Sequence, residues 1–182
     1  LDTSGSMEGE RLALLQETML SLIDGSAQGA AGGVGLRDRE RVSLQPFADV
    51  PAEPVTLRFS TTDPGPAQEL TAAVEGLRAE GATSLYSALM TAFDTVAAEE
   101  GAIPSIVLMS DGEVTAGATI GQFREFHESL DSPRADIPVF VILYGEANIA
   151  EMTEVADMTG GRVFDALDGD LDAAFKEIRG YQ

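Results

Sequence analysis

Cysteine is absent from the 182 residues, which excludes disulfides, thiolate catalysis and cysteine-ligated zinc. The one histidine, His127, sits between Glu125 and Glu128 in a polar helical stretch and reads as a surface residue. That leaves no Ser-His-Asp arrangement. The one lysine, Lys176, falls in the last predicted helix, away from any phosphate clamp. No apolar run reaches 18 residues, the length needed to cross a bilayer as a helix. Basic residues are few: 11 against 31 acidic ones, a net charge of −20. Such a surface repels phosphate backbones and anionic lipid, so neither nucleic acid nor direct membrane insertion is expected of it.

What is present suits a globular fold. The apolar fraction is 44%, ordinary for a folded domain. The length fits a single domain over residues 1–182. The opening Leu1-Asp2 reads as the tail of a first strand whose N-terminal part is missing, as in a module excised from a longer protein.

Helix and strand patterns alternate along the chain. Residues 11–23 carry Leu12, Leu15, Met19, Leu22 and Ile23 on one helical stripe. Residues 41–47 and 55–59 alternate with strand period around Pro46, Pro51 and Pro54, as a hairpin ending on a half-exposed edge strand. Helices are expected over 64–79 and 84–98, around Phe123, Phe126 and Leu130, and around Met152, Val155 and Ala156, the last closed by Gly160-Gly161. The apolar runs 106–109 and 139–143 read as strands covered on both faces. A short strand at 162–164 and a helix over 170–181 close the chain. The Gly/Ala-rich stretch 27–35 reads as a surface loop. Together these predict a doubly wound α/β sandwich of three layers, with a mostly parallel six-stranded sheet, one antiparallel edge strand and helices on both faces.

Three segments carry the chemistry. Asp2-Thr3-Ser4-Gly5-Ser6 follows the first strand, Thr83 precedes a helix, and Asp111 stands just past the 106–109 strand. In strand order 3-2-1-4-5-6 the first and fourth strands are neighbours, so their carboxyl ends share the crevice where such sheets bind ligands. The set Asp2, Ser4, Ser6, Thr83 and Asp111 offers two carboxylates and three hydroxyls. Hard oxygen donors without nitrogen or sulfur suit Mg²⁺, with Mn²⁺ or Ca²⁺ as alternatives. With both aspartates acting through water, the direct ligands would be neutral hydroxyls, leaving the cation attractive to an external carboxylate. The plain alternative for the first loop is a helix cap and turn.

Residues 1–7, 81–85 and 107–113 resemble the metal-ion-dependent adhesion site of the von Willebrand factor type A family, whose pattern is Asp-x-Ser-x-Ser, then Thr, then Asp. All five positions match, at Asp2, Ser4, Ser6, Thr83 and Asp111. The resemblance implies a Rossmann-like fold, a bound Mg²⁺ and protein–protein contact through it, without catalysis. It extends over nearly the whole chain. The absence of cysteine departs from animal plasma and matrix members, and Leu108-Met109-Ser110-Asp111-Gly112-Glu113 looks more like bacterial ones. An extracytoplasmic or cell-envelope location is therefore favoured over a cytoplasmic one. In regulated members the closing helix, here 170–181, shifts with metal coordination.

Two other readings compete. An intracellular adaptor of the same fold would dock on a ring ATPase or chelatase-type assembly. A Mg²⁺-dependent phosphohydrolase would need a second aspartate two residues after Asp2, and that position is Ser4. Glu113, beside Asp111, reads as a solvated loop charge, with a water-holding group as the alternative, and Asp49, Glu53 and Asp63 read as solvated charges too. Partner specificity is assigned to 7–9, 84–86 and 114–118, where Met7 and Tyr86 would either supply apolar contacts or serve as packing residues.

Overall fold

A computed structural model describes residues 1–25, 35–96, 103–145, 148–166 and 171–180. The predicted 27–35 loop lies outside them except for Gly35, as do the ends of the predicted helices 84–98 and 170–181. After a 3₁₀ turn at Gly5–Met7 come α1 (Glu10–Asp24), β1 (Arg41–Leu44), β2 (Val55–Arg58), α2 (Pro64–Glu75) and α3 (Leu85–Val96). Then follow β3 (Ile106–Ser110), α4 (Ile120–Glu128), β4 (Val139–Leu143), α5 (Ile149–Thr159), β5 (Val163–Asp165) and α6 (Leu171–Gly180). No described helix is long and apolar enough to cross a membrane.

The expected six-stranded sheet is not formed as such: the described residues hold five strands in two sheets, β1-β2 antiparallel and β3-β4-β5 parallel. Residues 1–3 join them. On one side the Leu1 carbonyl accepts from Phe47 N at 2.9 Å and Thr3 N donates to the Phe47 carbonyl at 2.8 Å; on the other, Asp2 N donates to the Met109 carbonyl at 2.9 Å. Asp2 forms only an isolated parallel bridge with Phe47. The ladder of β1 stops at Leu44, just before Pro46, which has no N–H to extend it. The predicted order of neighbours is nevertheless kept, with residues 1–3 between the β1 extension and β3.

β4 is buried throughout and splits its side chains between two cores. Phe140 and Ile142 join Leu15, Met19, Leu70, Val74, Phe175 and Ile178 from α1, α2 and α6. Val139, Val141 and Leu143 join Leu85, Leu89, Phe93, Phe123, Met152 and Val155 from α3, α4 and α5. This alternation fixes helices on both faces, because successive strand residues point to opposite sides.

Local chemistry sets the helix ends. Asp63, read from sequence as a solvated charge, caps α2 by accepting from Gly65 N at 2.9 Å, with Pro64 in the first turn. Thr119 and Gln122 form a reciprocal capping box on α4. Gly160 takes a left-handed conformation (φ 73°) and stops α5 as expected. Helix α2 ends at Glu75, short of the predicted 79, and Leu77 packs on the core from the following turn.

His127 departs from expectation: it is only 9% exposed. It stands four residues after Phe123 and shares its helix face. Its ring meets Phe93 edge-on at 5.7 Å and lies 6.3 Å from Phe123, with Nε2 unpartnered. The flanking glutamates are exposed, so adjacent residues misreport its environment while the i−4 neighbour reports it.

Candidate metal centre

The carboxyl end of β3 and the turn after Asp2 form one edge of the molecule. Because Asp2 N is tied to the Met109 carbonyl, Asp2 and Asp111 emerge from adjacent segments of the sheet. Asp2 is 0% exposed and Asp111 2%. Asp2 Oδ1 accepts from Ser4 N at 2.9 Å, an Asx-type turn that curls the loop back on itself. Ser4 and Ser6 then meet hydroxyl to hydroxyl at 3.0 Å. Asp111 Oδ1 accepts from Glu113 N at 3.1 Å in a second such turn.

Backbone contacts bring Thr83 to this edge. Gly5 N donates to the Gly81 carbonyl at 2.9 Å, and Glu80 N donates to the Thr3 carbonyl at 2.9 Å. Gly81 is left-handed (φ 79°), and a Cβ there would sit 2.7 Å from Asp49 Oδ2. Thr83 N donates to Thr115 Oγ1 at 2.9 Å, and the Thr83 carbonyl accepts from Thr115 N and Ala116 N. Thr83 is 2% exposed. Thus Asp2, Ser4 and Ser6 are joined by direct hydrogen bonds, Asp111 stands beside them, and Thr83 is carried in on a neighbouring loop rather than by side-chain contact.

Four residues hold this edge together in roles that the sequence reading did not give them, although Thr115 falls in the 114–118 stretch assigned to partner contact. Ser110 donates from Oγ to Asp2 Oδ2 at 2.5 Å and accepts there from Gly112 N at 3.0 Å. Arg11 donates to both Asp111 Oδ2 at 2.9 Å and the Ser6 carbonyl at 2.8 Å. Asp49, expected to be a solvated charge, accepts from Ala82 N at 2.8 Å and props the Thr83 loop. Thr115 completes that loop's hydrogen bonds. Only Ser110 left a signal, a hydroxyl residue ending an otherwise apolar strand next to Asp111.

Of the two readings open for Met7 and Tyr86, packing is the one the structure supports. Met7 is fully buried. Tyr86 stacks on Phe123 at 6.0 Å and donates its hydroxyl to Glu151 of α5. Burial and that carboxylate push the Tyr86 phenol above its ordinary pKa. Glu113 is exposed.

Burial raises the pKa of the Asp2 carboxyl. The Ser110 and Ser4 hydrogen bonds oppose the shift, and the negative charge of Asp111 adds to it. Two buried carboxylates side by side are costly without a cation. The donor set therefore fits a hard divalent ion. No group of three or more His, Cys, Asp or Glu converges among the described residues, so any such ion here depends on the hydroxyls.

Ser110→Ala tests how far Asp2 depends on this support. The substitution leaves a buried carboxylate oxygen and the Gly112 N–H without their partner. A loss of about 1–3 kcal/mol in urea-unfolding stability is expected, whereas an unchanged midpoint would show that Asp2 is held by other means.

The molecule is an α/β domain with acidic and hydroxyl side chains gathered at the carboxyl edge of its sheet. The chain belongs to the von Willebrand factor type A domain family, which matches residues 1–178. Among solved structures, a von Willebrand factor type A protein from Catenulispora acidiphila superposes with TM-score 0.73 at 22% identity. The match covers 97% of this chain and 40% of that one, so this chain spans well under half of that relative. The pilus adhesin SpaC from Lactobacillus rhamnosus GG matches with TM-score 0.66 at 14% identity, over 98% of this chain and 29% of that one. Proximal thread matrix protein 1 from the mussel byssus, with a zinc-occupied metal-ion-dependent adhesion motif, matches with TM-score 0.64 at 15% identity, covering 97% and 42%. At these identities the likeness establishes the fold. Comparison with curated proteins gives no match.

Proposed function

We propose that this domain binds a divalent cation and through it an acidic group of a partner protein, with no catalysis of its own. Asp2, Ser4, Ser6, Thr83 and Asp111 would hold the ion, Mg²⁺ first, with Mn²⁺ and Ca²⁺ as alternatives. When bound, the ion supplies Lewis acidity toward a carboxylate oxygen. The observation that carries this reading is the buried pair Asp2 and Asp111, with the Asp2 carboxyl pushed upward in pKa beside two touching serine hydroxyls. The net charge of −20 adds to it. So acidic a domain repels an acidic ligand, and a cation at the edge is what would reverse the local sign.

A zinc-occupied relative and a pilus adhesin relative support the metal-dependent and adhesive sides of the reading. The same relatives support a place outside the cytoplasm, as part of a longer surface protein. Calorimetric titration of EDTA-stripped protein with MgCl₂ and MnCl₂ tests it. One saturable site is expected; the absence of binding heat and of any thermal shift with either salt would end it.

A further inference from the structure

Arg11 stands where a basic residue is electrostatically misplaced. It is the second residue of α1, within the positive end of the helix dipole. Helical side chains lean toward the N-terminus, and this one reaches back over the 4–6 loop. Its Nη1 donates to the Ser6 carbonyl at 2.8 Å and to Asp111 Oδ2 at 2.9 Å. The two ends of the pair differ sharply in exposure, 45% for the Arg11 side chain and 2% for that of Asp111. A single guanidinium nitrogen thus fastens the first loop to the carboxylate after β3. Asp49, at the far side of the edge, is committed to Ala82 N.

We infer that Arg11 is a built-in counter-cation that competes with a divalent ion for Asp111, so that metal binding must displace the guanidinium from Oδ2. This inference rests on the metal reading above. The arginine compensates a buried charge when no other cation does, and every bound ion must replace that compensation. Because the Arg11 side chain is half exposed, the guanidinium can turn into solvent once an ion takes over the compensation of Asp111. It then lies free at the rim, positioned to meet a partner's carboxylate. The pair would therefore set the metal concentration at which the site fills.

The test compares wild type, Arg11→Gln and Arg39→Gln, each stripped with EDTA and titrated with MnCl₂ by calorimetry, with thermal melts before and after saturation. Gln keeps a donor but removes the charge. Arg39, 85% exposed and facing Asp38, removes the same net charge away from the edge. Arg11→Gln is expected to bind Mn²⁺ about tenfold more tightly. Its melting temperature should fall below wild type in EDTA and match it at saturation. Arg39→Gln should bind as wild type does. Arg11→Gln affinity equal to or weaker than wild type overturns the inference while leaving the metal reading intact. Binding by Arg11→Gln alone would support the counter-cation and overturn the metal reading for the native chain. Binding by neither protein overturns both.

Discussion

Asp111→Ala is expected to abolish Mg²⁺ binding while leaving the fold in place. The substitution removes one of two buried carboxylates and so about half of the negative charge facing the ion. Changes to groups that merely orient metal ligands cost about 10–100-fold in affinity, and loss of a proposed ligand should exceed about 100-fold. The stability cost is small because two effects oppose each other. The variant gives up hydrogen bonds from Arg11 and from Glu113 N. It also removes the Asp111 repulsion that adds to the effect of burial on the Asp2 carboxyl. A urea-unfolding midpoint near wild type together with a flat Mg²⁺ titration is the expected pair of results. Retained affinity would remove Asp111 from the site and with it the charge argument.

Gly161→Ala should do the opposite: lose stability and leave the metal edge untouched. A Cβ at position 161 would lie 1.9 Å from the Val139 carbonyl oxygen and 2.5 Å from its carbon. That neighbour is backbone at the start of β4, where Val139 pairs with Ile106 and its N–H is held by Thr159 Oγ1 at 3.1 Å. Relief requires moving the turn between α5 and β5 away from a fully buried strand. A cost of about 3 kcal/mol or more is expected, read as a melting temperature lower by about 6–12 °C for a domain of this size. Gly160→Ala is the control. Its Cβ would meet nothing within 4 Å, and only the left-handed φ of 73° resists it. That strain costs about 1 kcal/mol. If the two variants melt together, backbone conformation rather than close approach governs this turn.

The helices and strands were readable because their periodicity is a local property. Leu12, Leu15, Met19 and Leu22 announce α1 by spacing alone, and the unbroken apolar run of β4 announces a strand buried on both faces. The five residues proposed for the metal were chosen for a related reason: they fall in the segments that follow strands or precede helices. Residues that act through partners far along the chain were not readable. Ser110 contacts a residue 108 positions away, and Arg11 one 100 positions away. Nothing in either one's immediate sequence names that partner. His127 was misplaced because its adjacent glutamates were weighed and its i−4 neighbour Phe123, which shares its buried face, was not.

The sequence by itself determined the α/β class, the absence of thiol chemistry and the acidic composition, and it named the five oxygen-bearing residues proposed to hold an ion. The tertiary structure alone decided that residues 1–3 join two small sheets. It also decided that Ser110 holds Asp2, Asp49 props the Thr83 loop and Arg11 neutralises Asp111. Composition and periodicity act within a few residues, whereas hydrogen bonds and charge pairing depend on distances that exist only after the sheet has assembled.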